Sequence, residues 1–245
     1  MLELRRIKLS YGDLKVLDGV DLVINRGDVL SIIGPSGTGK TTLLKCINYL
    51  AKPSSGEIQF DDIHMDYQNV NKAAIQTIRR RTAMVFQQFN VFKNMTVLQN
   101  VVDPLVVVQG KSKEEAREIA LRELERVDLS SKKDHYPSQL SGGQLQRTGI
   151  ARALAVKPDV MLFDEPTSSL DPELVSEVLK VIKDVTSSGI TSLLVTHEMQ
   201  FARGVSNRIV FMDGGVVAAQ GSPEEIFEAP DHPRLAQFLQ NERAL

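Results

Sequence analysis

The chain has 245 residues, 42% of them hydrophobic and 24% charged, with a net charge of −2. That is long for one simple domain and short for two complete ones, so a single α/β core carrying a subdomain is expected. The small charge offers no field that would gather nucleic acid, and the lone Cys46 excludes an intrachain disulfide.

The start, MLELRRIKLSYGD, has no apolar signal region, so work in a reducing cytoplasm is expected. Residues 2–25 alternate and turn as antiparallel strands do. Val29–Ile33 is a short, largely apolar run, the pattern of a strand buried on both faces. It leads into GPSGTGKT, Gly34 to Thr41, which fits G-x-x-x-x-G-K-[ST] in the strand-to-helix setting this motif needs. Gly34, Pro35, Ser36, Gly37, Thr38 and Gly39 form the loop, whose glycines leave backbone N–H groups free to wrap phosphate oxygens at the positive end of the following helix. Lys40 is expected to reach the β- and γ-phosphates and the Thr41 hydroxyl to ligate Mg2+, with Thr42 in the same cradle. Tyr11, in a turn before the loop, can stack on a nucleotide base, and Val16 is assigned to the same pocket. No N-K-x-D element of the guanine-reading kind occurs, so ATP is the expected nucleotide. Cys46, among Leu43, Leu44, Ile47 and Leu50, reads as a small core side chain.

GEIQFDDIHM again reads as antiparallel strands, and the basic spot Arg79-Arg80-Arg81 as a solvated face. Ala83–Phe86 is a second buried strand, followed by Gln87. Two helical patterns then dominate. One opens with the capping box Ser112-x-x-Glu115 and buries Ala116, Ile119, Ala120 and Leu124; the other follows Ser141. Between Gln87 and the first of them, VVDPLVVV is too short and too broken by Asp103 and Pro104 to span a membrane. Ser141, Gly142, Gly143 and Gln144 make a second turn of the anion-cradling kind, without an adjacent lysine.

Val160–Phe163 leads to Asp164 and Glu165, and Ser192–Thr196 to His197. The stretch between them is helical, with Asp171 as its cap, Pro172 at its first position and Gly189 at its close. That strand–helix–strand unit should give a parallel pair. Ser222-Pro223-Glu224-Glu225 should open a C-terminal helix over 222–245. The expected division is a nucleotide-binding core of 1–88 and 156–221 and a helical subdomain of 89–155.

Gly34, Gln87, Asp164 with Glu165, and His197 each follow a core strand, and ligands of an open parallel sheet bind beyond the strands' carboxyl ends. Chemistry then assigns Asp164 to Mg2+, Gln87 to metal and water, and His197 to the γ-phosphate. Glu165 is assigned to the attacking water as base, help worth about 10²–10⁴ in rate. His64, His135 and His232 show no ligand spacing, so no zinc site is expected.

The ordered set GPSGTGKT, Gln87, LSGGQ (140–144), LFDEPTSSLD (162–171) and VTH (195–197) resembles the ABC ATPase family over essentially the whole chain. The resemblance implies a phosphate-loop NTPase fold of the RecA-like kind, with a parallel-sheet core, an N-terminal antiparallel β subdomain and an inserted helical subdomain. It also implies a head-to-tail homodimer, in which the turn at Ser141–Gln144 of one subunit caps ATP held by the other. Ser168 to Asp171 resembles the loop that touches its twin; Asp171 is there either an interface residue or only a helix cap. Within the family, LLKCIN, VFQQFNVFKNMTVLQNV, LFDEPTSSLDPE and THEMQFA are similar to the ATPases of bacterial polar amino acid importers, with Thr38, Leu145 and Gly149 as departures. This similarity implies a peripheral subunit at the cytoplasmic face of the membrane that powers uptake of a polar or charged amino acid. Its partners would be integral membrane permease subunits and, indirectly, an extracytoplasmic solute-binding protein. The alternatives are an ABC ATPase serving methionine or lipoprotein release, and a soluble one acting on ribosomes or DNA. The segment FNVFKNM (89–95) reads either as a surface for a permease helix or as subdomain core.

Overall fold

The structure is a computed structural model and describes residues 1–243. Alternation builds the first layer. In β1 (Leu2–Tyr11) the buried positions are Leu2, Leu4, Ile7 and Leu9, and its antiparallel partner β2 (Leu14–Ile24) buries Leu17, Val20, Leu22 and Ile24. The buried phase of β1 changes from even to odd positions where its register shifts, between Leu4 and Ile7. Arg6 takes a φ of 50° there, and the bulge keeps one face on the core.

β3 (Val29–Ile33) is buried at every position and leads to α1 (Lys40–Ile47). The hairpin of β4 (Ser55–Phe60) and β5 (Ile63–Asp66) joins β1, giving an antiparallel sheet of order β2-β1-β4-β5. α2 (Lys72–Arg81) and β6 (Thr82–Val85) follow, then three helices, α3 (Val97–Val107), α4 (Lys113–Arg126) and α5 (Gly142–Ala155). The remainder is β7 (Val160–Asp164), α6 (Pro172–Ser187), β8 (Thr191–Val195), α7 (Met199–Val205), β9 (Arg208–Asp213), β10 (Val216–Gly221), α8 (Pro223–Phe227) and α9 (Pro233–Arg243).

The second sheet has the order β10-β9-β3-β8-β7-β6, parallel except for β10 at its edge. Its strands feed cores on both faces. Leu30, Ile32, Leu162, Leu193 and Val195 pack with α1 and the antiparallel sheet, whereas Val85, Met161, Phe163 and Leu194 pack with α3 to α6. Ile33, Ile209 and Phe211 pack with Ala202 of α7, Ile226 of α8 and Leu235 of α9. Burial on both sides is why β3, β7 and β8 read as mostly apolar runs, Ser31 and Ser192 being the small buried exceptions inside them. Cys46 is buried in the first core, which pushes its thiol up to about 12.

Several local expectations change. Residues 97–107 form α3, although Asp103 and Pro104 interrupt the pattern. Pro104 lies inside the helix, and the Thr96–Gln99 capping box with buried Val97, Leu98, Val101 and Leu105 outweighs the hydrogen bond it removes. The fully buried Asn100 fastens the loop before α3: its amide donates to the carbonyls of Phe92, Met95 and Thr96 at 3.0–3.2 Å. The C-terminal segment is two helices rather than one, with Pro230 and Pro233 between and at the break; residues 244–245 of that segment lie outside the described residues. β6 and β8 begin one residue early, and β7 takes in Asp164.

The arginine run is not simply a solvated face. Arg79 donates to the carbonyls of Asn48 and Tyr49 at 2.9 and 3.0 Å. Arg81 pairs with Asp61 and with Asp159 (2.5 Å), its guanidinium 4.3 Å from the centre of the Phe60 ring. Asp61, on the β4–β5 turn, also takes the Met1 ammonium at 2.5 Å and Arg26 at 2.7 Å. The Met1 hydrogen bond first, then Arg81 and Arg26, hold its carboxyl down to about 2. A depressed folded value gives stability that is present above the ordinary carboxylate range and lost as pH falls toward 2. Asp61→Asn keeps the left-handed backbone but removes the charge the three cations share. It should lower stability by about 1 kcal/mol near neutral pH, less in high salt, the pairs being solvent-screened. Urea unfolding at pH 7 and pH 3.5 checks this: the gap between variant and parent must narrow at the lower pH.

Candidate functional site

β3, β8, β7 and β6 lie side by side and parallel, so Gly34, His197, Asp164–Glu165 and Gln87 come off one edge of the sheet in that order. Gly34 has a φ of 142°, and a Cβ there would lie 2.2 Å from the Met212 carbonyl oxygen. Gly39 has a φ of 95°, and its Cβ would lie 2.7 Å from the Val16 carbonyl oxygen. Neither position admits a side chain. The Val16 backbone is thus the wall on which the last glycine of the loop sits. Ser36 and Gly37 form the exposed crest, and Thr38 donates to the Pro35 carbonyl at 2.9 Å. Gly39 is also the N-cap of α1 and brings no capping side chain, so the first-turn N–H groups, with Thr41 and Thr42 behind them, face the loop. Lys40 is buried and bends back on the loop: Nζ donates to the carbonyls of Gly34 and Pro35, each at 2.8 Å. Burial draws its pKa below the usual lysine range, opposed by the charges of Glu165, Glu242 and Asp164.

Thr41 Oγ1 donates to Asp164 Oδ1 at 2.5 Å, and Lys45 Nζ lies 3.9 Å from Asp164 Oδ2. Burial pushes the Asp164 carboxyl up, against the Thr41 hydrogen bond and the Lys45 charge. A hydroxyl and a carboxylate in contact are the hard oxygen donors that suit a divalent cation retaining several waters, so the pair fits Mg2+. Glu165 has a φ of 46°, uncommon for a residue with a Cβ, and its N–H donates to the Val195 carbonyl at 2.9 Å. That backbone turns its carboxylate toward two donors. Oε1 receives His197 Nε2 at 3.1 Å and Oε2 receives the Ser168 hydroxyl at 3.2 Å. The His197 hydrogen bond, opposed by burial, holds the Glu165 carboxyl below the usual range. A cationic loop, a hard-metal pair, a carboxylate and an imidazole on one edge are the parts phosphoryl transfer to water uses.

The Ser141 turn stands apart from this group. The Ser141 hydroxyl accepts the Gln144 N–H at 3.3 Å while Gln144 Oε1 accepts the Ser141 N–H at 3.1 Å, a reciprocal capping box. Space around the two glycines is limited at Gly142 and ordinary at Gly143. A Cβ on Gly142 would lie 3.1 Å from Leu170 Cδ2, and one on Gly143 3.4 Å from Leu174 Cβ. Among the described residues no hydrogen bond joins this turn to the phosphate loop of its own chain. Asp171 is the N-cap residue of α6, yet it is exposed and its side chain makes no capping hydrogen bond, so the simple cap reading fails. Tyr11, 61% exposed at the end of β1, and Gln87, exposed two residues past β6, are open to a ligand. No residue of 89–95 is buried, which goes against subdomain core, and residues 88–91 and Lys93 with Pro137, Ser138 and Leu145 line a groove of about 510 Å³.

Sequence reasoning passed over two residues. Ser168 was read only as part of the SSLD loop, not as a partner of Glu165. Gln146, fully buried on α5, donates Nε2 to the carbonyl of Phe86, next to Gln87, at 3.0 Å. Its Oε1 has no hydrogen-bond partner among the described residues. A polar side chain on a face of α5 that packs against the sheet was the one available signal.

A family model described as ABC transporter matches residues 17–168. The L-cystine import ATP-binding protein TcyC of Bacillus subtilis is 51% identical over 240 residues, 98% of this chain and 97% of that protein. The glutamine transport ATP-binding protein GlnQ of Escherichia coli is 47% identical over 241 residues, 98% of this chain and 99% of that protein. A dimeric structure of a post-hydrolysis state of the ATP-binding cassette MJ0796, bound to ADP and Pi, is similar with a TM-score of 0.79 at 36% identity, covering 91% of this chain and 99% of that one.

Proposed function

The chain belongs to the ABC transporter family, and from that we propose that it is the ATP-hydrolysing subunit powering import of a polar or charged amino acid. The observation that carries the hydrolytic reading is the contact of Thr41 with Asp164, beside buried Lys40 and the Glu165–His197 pair. Lys40 and the loop N–H groups would hold the phosphates of ATP, and Tyr11 would stack on its base. Thr41 and Asp164, with Gln87, would hold Mg2+, which when bound neutralises charge on the β- and γ-phosphate oxygens. Glu165 accepts the proton of the attacking water, and His197 donates to the γ-phosphate.

Each loop leaves one side of ATP open to water. The turn at Ser141–Gln144 of a second copy, with Asp171 beside it, closes that side in a head-to-tail homodimer, a reading supported by the dimeric MJ0796 cassette. No helix among the described residues is long and apolar enough to cross a membrane, so transport needs permease subunits. The unburied segment 89–95 and the adjoining groove support docking of a permease element at the cytoplasmic face of the membrane, on a helical subdomain of 89–155. An extracytoplasmic solute-binding protein would deliver the cargo. The names of the relatives, for cystine and glutamine, favour a polar amino acid over methionine or a lipoprotein.

Cells lacking the chain, complemented with the parent or with Glu165→Gln, test this by uptake of labelled cystine, glutamine and arginine. The expected result is loss of uptake of at least one of them, restored by the parent alone. Unchanged uptake of all polar amino acids in the deletion would overturn the import reading.

A further inference from the structure

A carboxylate oxygen that already accepts a hydrogen bond is a weaker proton acceptor than one that does not, so which donor leaves first decides which oxygen meets the water. Both oxygens of Glu165 accept, with His197 on Oε1 and Ser168 on Oε2. The two donors are not equivalent. His197 follows β8 with its side chain 37% exposed, and it is the group assigned to the γ-phosphate. Ser168 is tied to Glu165 twice, since its N–H also donates to the Glu165 carbonyl at 3.2 Å. The turn between them is filled by buried Pro166 and Thr167, and the Leu170 N–H donates to the Thr167 carbonyl at 3.0 Å. Ser168 is itself exposed, but its backbone is fixed in the same short turn as the carboxylate, whereas His197 comes from a separate strand end.

We propose that Ser168 is a positioning residue for hydrolysis: its hydroxyl anchors Oε2 of Glu165, so that when His197 is drawn to the γ-phosphate only Oε1 is released toward the water. In that step the water oxygen bonds to the γ-phosphorus and the bond to the β–γ bridging oxygen breaks, its electron pair leaving on ADP. The water proton passes to Glu165 Oε1 and from there to the phosphate product. The inference rests on Glu165 as the base, and it goes beyond that assignment by naming what aims it.

The test uses the full chain with Ser168→Ala, Ser168→Thr, Glu165→Gln and the Ser168→Ala/Glu165→Gln double variant. Ser168→Ala should lower kcat about tenfold, with KM, affinity for a fluorescent ATP analogue and Tm unchanged. Ser168→Thr, which keeps the hydroxyl, should recover most of the loss. In the Glu165→Gln background the alanine should cost nothing further. A parental kcat in Ser168→Ala, a loss that threonine does not recover, or a rise in KM matching the fall in kcat would overturn the anchor. The base assignment is read separately: Glu165→Gln with parental turnover removes it, whatever the serine variants do.

Discussion

Glu165→Gln is expected to slow ATP turnover by about 10²–10⁴-fold while leaving nucleotide binding intact, because it removes a proton acceptor and little else. The amide has the same shape, and its oxygen can still accept from His197 or from Ser168. The backbone that holds the residue depends on its N–H bond to the Val195 carbonyl, which the substitution does not touch. Loss of the charge also removes a carboxylate that acts on Lys40, so affinity for the polyanion should hold or rise. Since the Ser141 turn is expected to close over ATP in a second copy, unhydrolysed nucleotide should accumulate the dimer. Phosphate release and light scattering with ATP read the two effects. Turnover equal to the parent would reject Glu165 as the base.

Lys40→Ala should weaken ATP binding by at least about a hundredfold. The ammonium is the fixed cation of the loop, and each charge-assisted hydrogen bond to phosphate is worth about 1.5–3 kcal/mol. The substitution also leaves the carbonyls of Gly34 and Pro35 without the partner they now have, so Lys40→Met, which retains the bulk, serves as a second variant. Calorimetric titration with ATP measures the loss; affinity within a few fold of the parent in both variants would mean that the loop is not the phosphate seat. Mixing Lys40→Ala with Ser141→Arg extends the result to the pair. Each mixed dimer carries one site damaged on both sides and one with intact Lys40 and Ser141. It should trap one nucleotide per dimer, and trapping none would reject a site shared between copies.

The phosphate edge was readable because its backbone tolerates few alternatives. Gly34 and Gly39 stand where a Cβ would meet a carbonyl oxygen at 2.2 and 2.7 Å, so the motif is a record of geometry. The strand ends were readable because burial on both faces makes each strand predominantly apolar, with Asp164 closing β7 and His197 two residues past β8. α3 was hidden by Asp103 and Pro104, although Thr96 and Gln99 carried its capping box; packing against α4 and α5, invisible locally, decides in its favour. The link of Ser168 to Glu165 depends on a φ of 46° that sends the carboxylate back over its own turn, and no residue pattern announces that angle. Of the glycines after Ser141, Gly142 meets Leu170 closely, while nothing in the packing demands glycine at 143.

The folded-back Lys40 has a consequence for which anions the loop accepts. Two carbonyl oxygens at 2.8 Å already serve as a counterfeit of the ligand, so any newcomer must outbid them before the lysine turns outward. A phosphate chain that engages the loop N–H groups and the lysine together offers the charge-assisted bonds to which two neutral carbonyls yield. The cradle is therefore closed on itself until a ligand reopens it. Once that ligand leaves, the same two carbonyls are in place to take the lysine back.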